Sequence, residues 1–316
     1  MDPYRAPSVT RVGFVIIGRN EGARLDQCID SVMRTGQRAV YVDSGSSDGS
    51  VARARRRGLP VVELDPALPF TAARARNAGL DWHLRNDVLL ELVHFIDGDC
   101  ELMPGWLEKG CTAMLADDRL AAVCGRRRER APDASRYNRL CEAEWNTPVG
   151  IARSVGGDAL FRVAALRQID GYDEALIAGE EPDMCYRMRR RGWLIRRIDG
   201  DMTIHDAAML RFGQWWQRNR RSGYATAEAL AMRGAQDPQE GRDLRRMVLS
   251  NVIWALPPMW LLWPMLWLRI RVRKDALQAT WLILGKLPHL QGQIDYWRAG
   301  VRKKRGGMPV GLIEYK

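Results

Sequence analysis

The 316-residue sequence lacks the cysteine spacings that hold a zinc ion or build a disulfide framework. Its six cysteines lie far apart, and no two of them form a CxxC or CxxH motif. Dispersed cysteines of this kind favour a protein of the reducing cytosol. The N-terminus also lacks the apolar run of a cleavable signal peptide, so we expect the main domain to stay in the cytoplasm.

Repeats and disorder are also missing from the sequence. No segment recurs with a period of about 20 to 50 residues, which excludes a repeat architecture, and 46% of the residues are apolar, too many for a disordered chain. The formal net charge is +11. This charge suits a nucleotide, a nucleic acid or an anionic membrane face, although arginines scattered over a solvated surface would explain it equally well.

The first predicted unit, residues 1–125, alternates short apolar runs with amphipathic stretches, which is typical of a mostly parallel βαβ sheet. Strands are predicted at 12–17, 39–42, 61–64 and 89–96, and helices at about 22–34, 48–58 and 71–84. Asn20, Asp43 and Asp97 then follow the carboxyl ends of strands, where open α/β sheets bind their ligands. We therefore expect this unit to bind a nucleotide.

The second predicted unit covers residues 126–234. We expect 126–155 to be irregular, with a charged run at 126–130 that is either a solvated surface or a contact to a diphosphate or an anionic acceptor. A strand at 159–162, a helix from about 180, a strand at 194–198 and a long helix at 212–233 follow. The sequence AQDPQEG at 235–241 is the predicted linker.

The composition changes in the third predicted unit, residues 235–316. The segment 247–270 is almost wholly apolar and contains four tryptophans and three prolines. It is long enough to span a bilayer, but the prolines interrupt it and basic residues flank both of its ends. We expect a re-entrant or in-plane attachment to the cytoplasmic face of the inner membrane. A buried helical subdomain or a dimer face is the alternative.

The residue pattern at 97–99 carries the first chemical signal. Asp97 and Asp99 follow an apolar strand with a glycine between them, which lets the backbone turn and direct both carboxylates at a hard divalent cation. Such a cation can stabilise the charge on a departing diphosphate. Asp43, before a loop of small residues, can accept hydrogen bonds from a base or ribose. Arg76 suits a phosphate or base, or is an ordinary surface residue.

The ordered motifs IIGRNE at 16–21, VDSGS at 42–46, RN at 76–77 and DGD at 97–99 resemble the inverting family 2 glycosyltransferases of the bacterial, membrane-associated type. GGDALFR at 156–162 and GEEPDMCYR at 179–187 continue the match, which covers about residues 10–225. The resemblance implies an α/β protein of the GT-A fold, with a Rossmann-like sheet flanked by helices. It also implies an enzyme of hexosyltransferase type that uses a nucleotide-sugar donor with Mn²⁺ or Mg²⁺.

The resemblance also implies roles for individual residues. It assigns donor binding to Asn20, Glu21, Asp43, Arg76 and Asp97. It makes Asp99 the principal metal ligand, with Asp97 and His205 as further ligands. The family's base is an Asp that follows a Glu at a helix start; here Glu181 stands in that place, after Glu180, and either one could act. Gly157 and Asp158 are expected to contact the acceptor.

The reaction needs a base because an acceptor hydroxyl must lose its proton as it attacks the anomeric carbon. A partly desolvated carboxylate with a raised pKa can take that proton. The two glutamates could instead serve only the N-terminus of their helix. The segment 217–221 is similar to the Gln-X-X-Arg-Trp motif of processive relatives but lacks the final tryptophan, which favours one transfer per encounter.

Two other functions are open to the sequence. A sugar-phosphate nucleotidyltransferase would need a glycine-rich loop with a lysine near the first strand, and 18–22 does not supply it. A basic membrane-associated binding protein without catalysis would carry basic strands interleaved with aromatics, and we expect no nucleic-acid partner. The predicted function is inverting transfer of a sugar to a glycan or lipid-linked acceptor in cell-surface polysaccharide synthesis.

Overall fold

The computed structural model describes residues 11–304, and a nine-stranded sheet organises them. The strands are β1 (Val12–Gly18), β2 (Arg38–Asp43), β3 (Val61–Glu63), β4 (Leu92–Asp97), β5 (Cys100–Leu102), β6 (Leu120–Glu129), β7 (Gly150–Ile151), β8 (Ala159–Arg162) and β9 (Leu194–His205). The helices are α1 (Ala23–Met33), α2 (Ser50–Arg56), α3 (Ala72–Asn86), α4 (Trp106–Ala116), α5 (Arg136–Trp145), α6 (Val163–Arg167), α7 (Glu180–Arg190), α8 (Phe212–Arg233), α9 (Pro238–Ala255), α10 (Trp263–Arg271), α11 (Ala276–Leu284) and α12 (Lys286–Lys304).

The sheet order is β3-β2-β1-β4-β8-β6-β9-β5, with β7 paired to β9. The pairs among β1 to β4 are parallel, whereas β8 runs antiparallel to β4 and β6. The register pairs Gly18 with Asp43 and Ile17 with Asp97. Three strand ends therefore meet at one edge of the sheet, with Asp43 and Asp97 on opposite sides of the end of β1.

Burial explains why the first unit forms as the sequence predicts. The residues of β1 from Val12 to Ile17 are all buried, as expected of a central strand covered on both faces. Helix α1 buries Leu25, Cys28, Ile29 and Val32 at helical spacing. The α/β class with a central sheet flanked by helices is confirmed.

The prediction of an irregular segment at 126–155 is wrong. Strand β6 continues through the charged run to Glu129, and α5 and β7 follow it. Arg126 and Arg128 both pair with Glu142 of α5, so the strand's outward charges are neutralised locally. The predicted linker is also shorter than expected, because the Asp237 carboxylate caps α9 and the helix begins at Pro238.

The C-terminal helices pack closely against the preceding part of the chain. Helix α12 lies along α8 and α9. The contact is tight because glycines stand at the crossing points: a Cβ on Gly223 would lie 2.1 Å from the His289 carbonyl oxygen, and one on Gly292 would lie 1.8 Å from that of Arg220. Extensive packing therefore joins the third predicted unit to the second.

The apolar segment is an exposed helical stretch that leaves α9 at a sharp bend. We call residues 256–272 the apolar hairpin, after this bend; they contain a 3-10 turn at Pro257–Leu262 and helix α10, neither of which has a buried residue. Within residues 11–304 no single helix is long and apolar enough to cross a bilayer. Helix α9 and residues 257–271 together meet that length and composition, but they are bent by 91° where they join.

Candidate active site

Four potential metal ligands converge where β4, β5 and β9 meet. They are Asp97, Asp99, Cys100 and His205, and their ligand atoms all lie within 4.8 Å of one another. The antiparallel pairing of β5 with β9 sets Cys100 directly opposite His205. The His205 Nε2 lies 3.4 Å from an Asp99 oxygen. The three residues predicted as metal ligands are thus brought together by the fold.

The chemistry of this cluster fits a divalent cation. Two carboxylates and an imidazole are suitable ligands for Mn²⁺, and the carboxylates suit Mg²⁺ as well. The buried Nδ1 of His205 has no hydrogen-bond partner among the described residues. Burial raises the pKa of the Cys100 thiol well above its usual value, which keeps this sulfur a neutral and weak ligand.

Two arginines surround Asp97. Arg76 of α3 donates to Asp97 Oδ1 at 3.0 Å, and Arg127 of β6 lies 3.6 Å from its Oδ2. Arg127 also pairs with Asp158 at 3.0 Å and lies over the Trp145 ring. The charged run is therefore not simply a solvated surface: its middle arginine turns inward while its neighbours face α5.

Asp158 lies beneath the site and not on its surface. The residue is 1% exposed, and its carboxylate accepts hydrogen bonds from the Asp97 backbone N–H and from Thr203 Oγ1. The structure places the Asp158 carboxylate behind Asp97, and its expected contact with an acceptor stays a prediction. Gly157 is also buried, and a Cβ there would lie 2.7 Å from Arg76 Nη2. A side chain at this position would therefore collide with the Arg76 guanidinium, and the expected contact of Gly157 with an acceptor stays a prediction.

The two candidate bases begin α7. Gly179 precedes them in the left-handed conformation, with φ of 80°. Arg76 lies 3.2 Å from Glu180 and 3.0 Å from Glu181, so one guanidinium joins these carboxylates to Asp97. Burial, and then the negative charge of Glu180, raise the pKa of Glu181 to about 7. A carboxylate with such a pKa can accept a proton near neutral pH.

The remaining predicted donor-site residues shape the edge at β1 and β2. Asp43 is 2% exposed and accepts hydrogen bonds from Tyr41 Oη and from the backbone N–H of Gly45 and Ser46. Asn20 has a positive φ of 56°, and its Oδ1 accepts from the Ser47 N–H across the same loop.

Glu21 completes the predicted donor set. It is 4% exposed, and one of its carboxylate oxygens lies 3.0 Å from Arg24 Nη2. A Cβ on Gly98 would lie 3.1 Å from the Glu21 side chain, which places this carboxylate beside the Asp-Gly-Asp turn. The fold therefore gathers all five predicted donor-site residues along one sheet edge.

A cavity of about 970 Å³ extends from this cluster. Asp99, His205, Glu180 and Glu181 line its inner end, and residues of α5, α8 and α9 line its outer walls. This size is within the range of small-molecule sites, about 300–1,000 Å³. The cavity therefore offers space for an acceptor next to the candidate bases.

Two residues of the site, the aromatic Trp145 and the basic Arg127, were not identified from the sequence. Trp145 ends α5 and packs edge-on against His205, with ring centroids 4.9 Å apart. Arg127 was hidden in the charged run. Strand alternation, with Arg126 and Arg128 on one face and Arg127 on the other, is the signal that could have indicated its inward orientation.

The mixed sheet and the acidic residues at its strand ends are the arrangement expected of a GT-A protein. Residues 14–169 match the family model described as Glycosyl transferase family 2. The chain carries a glycosyltransferase domain of this family, and the predicted family is confirmed.

The domain is similar to several known proteins. Two curated sequences from Mycobacterium tuberculosis strains, each a pre-mycofactocin glycosyltransferase, are 26% identical over 219 residues; the match covers 65% of this chain and 44% of theirs. The structure of a Pyrobaculum calidifontis mannosyltransferase with GDP-Man and Mn²⁺ aligns with a TM-score of 0.59 and 17% identity, covering 91% of this chain and 87% of that one. A mycobacterial protein aligns at 0.51 and 18%, covering 71% and 74%. These structures support the fold alone.

Proposed function

We propose that the protein is an inverting, metal-assisted glycosyltransferase that takes a nucleotide-sugar donor. The observation that carries the proposal is the set of ion pairs made by Arg76. Its guanidinium joins Asp97, one of the potential metal ligands, to the Glu180–Glu181 pair in one buried network. Donor and base must lie side by side for one transfer step. The likeness to a mannosyltransferase crystallised with GDP-Man and Mn²⁺ supports a donor and metal of this kind.

The residues have distinct proposed roles. Asp99, Asp97 and His205 would hold a divalent cation, which neutralises the charge of a departing diphosphate when it is bound. Asp43 lies at the edge where a base or ribose would bind, and its carboxylate has lone pairs for their donors. Glu181 would take the proton of the acceptor hydroxyl, because it lines the cavity and has a pKa near neutrality.

The test is metal-dependent hydrolysis of nucleotide sugars by the purified protein. UDP-, GDP- and dTDP-sugars are screened with Mn²⁺ and with Mg²⁺, using thermal stabilisation to find the donor that binds. We expect hydrolysis of one donor that requires metal and is lost in Asp99→Ala. Hydrolysis that persists without metal, or an unchanged rate in Asp99→Ala, would contradict the proposal.

We also propose that the protein lies on the cytoplasmic face of the inner membrane through the apolar hairpin and modifies a glycan or lipid-linked acceptor in cell-surface polysaccharide assembly. The hairpin supports this proposal because Leu261, Met265, Leu268 and Val272 are 60% to 86% exposed. Basic residues adjoin them at Arg269, Arg271, Arg273 and Lys274. Apolar side chains beside cations suit the surface of an anionic leaflet.

A further inference from the structure

One face of α8 forms the outer wall of the cavity. The cavity-lining residues of this face are Gln214, Arg218, Arg221, Ser222, Ala225, Thr226, Ala229 and Arg233. They recur at intervals of three and four residues, which keeps them on one side of the helix. Between Arg221 and Arg233 the face is made of small side chains, and these leave room for a ligand.

Arg221 contributes a positive charge that no carboxylate of the described residues neutralises through an ion pair. Its Nη2 donates to the Ile177 carbonyl oxygen at 3.2 Å. The neighbouring cavity arginines differ in this respect: Arg218 makes a bidentate pair with Glu144, and Arg153 pairs with Glu240 and Asp243. Arg221 therefore has donors left for a ligand.

Arg233 is a second, independent sign of an anion site. The residue is 6% exposed, and its Nε has no hydrogen-bond partner within residues 11–304. Its Nη1 donates to the Pro182 carbonyl oxygen at 3.0 Å, and a more distant Asp183 oxygen lies at 3.8 Å. An unsatisfied donor on a buried guanidinium is costly, and a bound oxyanion would satisfy it.

The two arginines contact the chain on both sides of the candidate bases. Arg221 contacts residue 177 and Arg233 contacts residue 182, while Gly179 packs against Ala225 between them. An anion bound by this face would therefore lie next to Glu180 and Glu181. Its position would orient the rest of an acceptor towards the base.

We propose that Arg221, assisted by the Ser222 hydroxyl, binds a phosphate group of the acceptor, while Arg233 adds positive charge further along the same wall. This inference rests on the proposed function, because it identifies the chemical class of the second substrate. The planar guanidinium fork suits phosphate oxygens. Helix α9, which lines the cavity with Leu244 and Met247, leads directly into the apolar hairpin. The phosphate could therefore belong either to a membrane lipid or to a soluble phosphosugar, which the experiment distinguishes.

The experiment measures binding of inorganic phosphate by calorimetry to the full chain in EDTA, where a metal-held phosphate site cannot contribute. Wild type, Arg221→Gln and Arg220→Gln are compared. Arg220 is the matched control, because it is on the same helix but pairs with Asp295 of α12 and does not line the cavity. We expect the dissociation constant to rise about tenfold or more in Arg221→Gln and to stay within about twofold in Arg220→Gln.

Arg221→Lys keeps the charge but loses the planar fork of donors, so partial recovery of phosphate binding relative to Arg221→Gln is expected. Thermal unfolding shows whether each variant folds. Absence of phosphate binding in the wild type, or equal binding in Arg221→Gln, would overturn the inference.

Two further arms identify the source of the phosphate. Vesicles of phosphatidylcholine with and without phosphatidate are compared with soluble glycerol 3-phosphate as competitors of inorganic phosphate. Competition by phosphatidate vesicles alone supports a membrane lipid, and competition by glycerol 3-phosphate supports a soluble acceptor. Competition by neither overturns the inference. The proposed function is judged separately, because wild-type donor hydrolysis with metal is independent of these binding measurements.

Discussion

The guanidinium of Arg76 lies at the centre of the candidate site, 2% exposed and in contact with three carboxylates. The sequence predicted it at the rim, facing a phosphate or base, or as an ordinary surface residue. The structure buries it instead, over the Tyr172 ring. Arg76 therefore compensates the negative charges of Asp97 and of the two candidate bases at once.

Replacing Arg76 with methionine is expected to destabilise the protein by about 3 kcal/mol or more, because it leaves buried carboxylates without their cation. The pKa of Glu181 should rise further, since the Arg76 charge lowers it. Chemical denaturation measures the loss of stability, and the pH dependence of sugar transfer measures the change in the pKa of Glu181. An acid limb that does not move to higher pH in Arg76→Met would contradict this assignment.

The role of Glu181 predicts a pH dependence with a defined sign. Only the ionised carboxylate can take a proton, so transfer should increase as pH rises through about 7, with an apparent pKa that belongs to the glutamate pair. Glu181→Gln should lower kcat by about 10²-fold to 10⁴-fold. It should also remove the decrease in rate on the acid side of the pH profile. Glu180→Gln is the matched control, and a larger loss in it would transfer the role of base to Glu180.

At the scale of elements, β6 and α8 show what the sequence patterns did not predict. Strand β6 places Arg127 in the site although the run around it consists of charged residues. Helix α8 was predicted correctly at 212–233, but its neighbours were not evident from the sequence. One of its faces lines the cavity and another packs against α12.

The crossing of α8 with α12 provides an element-scale prediction. A methyl group on Gly223 would lie 2.1 Å from a backbone oxygen of α12, so Gly223→Ala should force the helices apart and cost about 1–3 kcal/mol. Gly213 lies on the same helix with no atom within 4 Å of an added Cβ. Gly213→Ala should therefore leave the free energy of unfolding unchanged or raise it by up to about 1 kcal/mol. Equal melting temperatures for the two variants would argue against this packing.

At the scale of the whole molecule, the apolar hairpin is the surface through which we propose that the protein attaches to a membrane. The double variant Leu261→Asp/Leu268→Asp should weaken cosedimentation with phosphatidylglycerol vesicles, because it places charges on side chains 86% and 63% exposed. Folding should be unaffected. Val88→Asp, at a site 78% exposed in the loop before β4, is the control. Equal vesicle binding by the double variant and the control would exclude the hairpin as the attachment surface.

The sequence by itself determined the first half of the fold and the position of its acidic residues. Apolar runs such as 12–17 are long enough to specify buried strands, and a residue that follows such a run must emerge at a strand end. For this reason Asp43, Asp97 and Asp99 were correctly located without coordinates. The Glu180–Glu181 pair was located through the resemblance of the motif at 179–187 to the helix start that carries the base in family 2 glycosyltransferases.

Only the tertiary structure decided which of these residues act together. The Arg76 bridge, the inward turn of Arg127 and the approach of His205 to Asp99 each join segments that lie between 21 and 106 residues apart. Such contacts depend on strand register and helix packing, which local patterns do not encode. The cavity between α5, α8 and α9 likewise exists only once these helices are packed together, so the sequence could indicate the donor edge but not the wall where Arg221 and Arg233 lie.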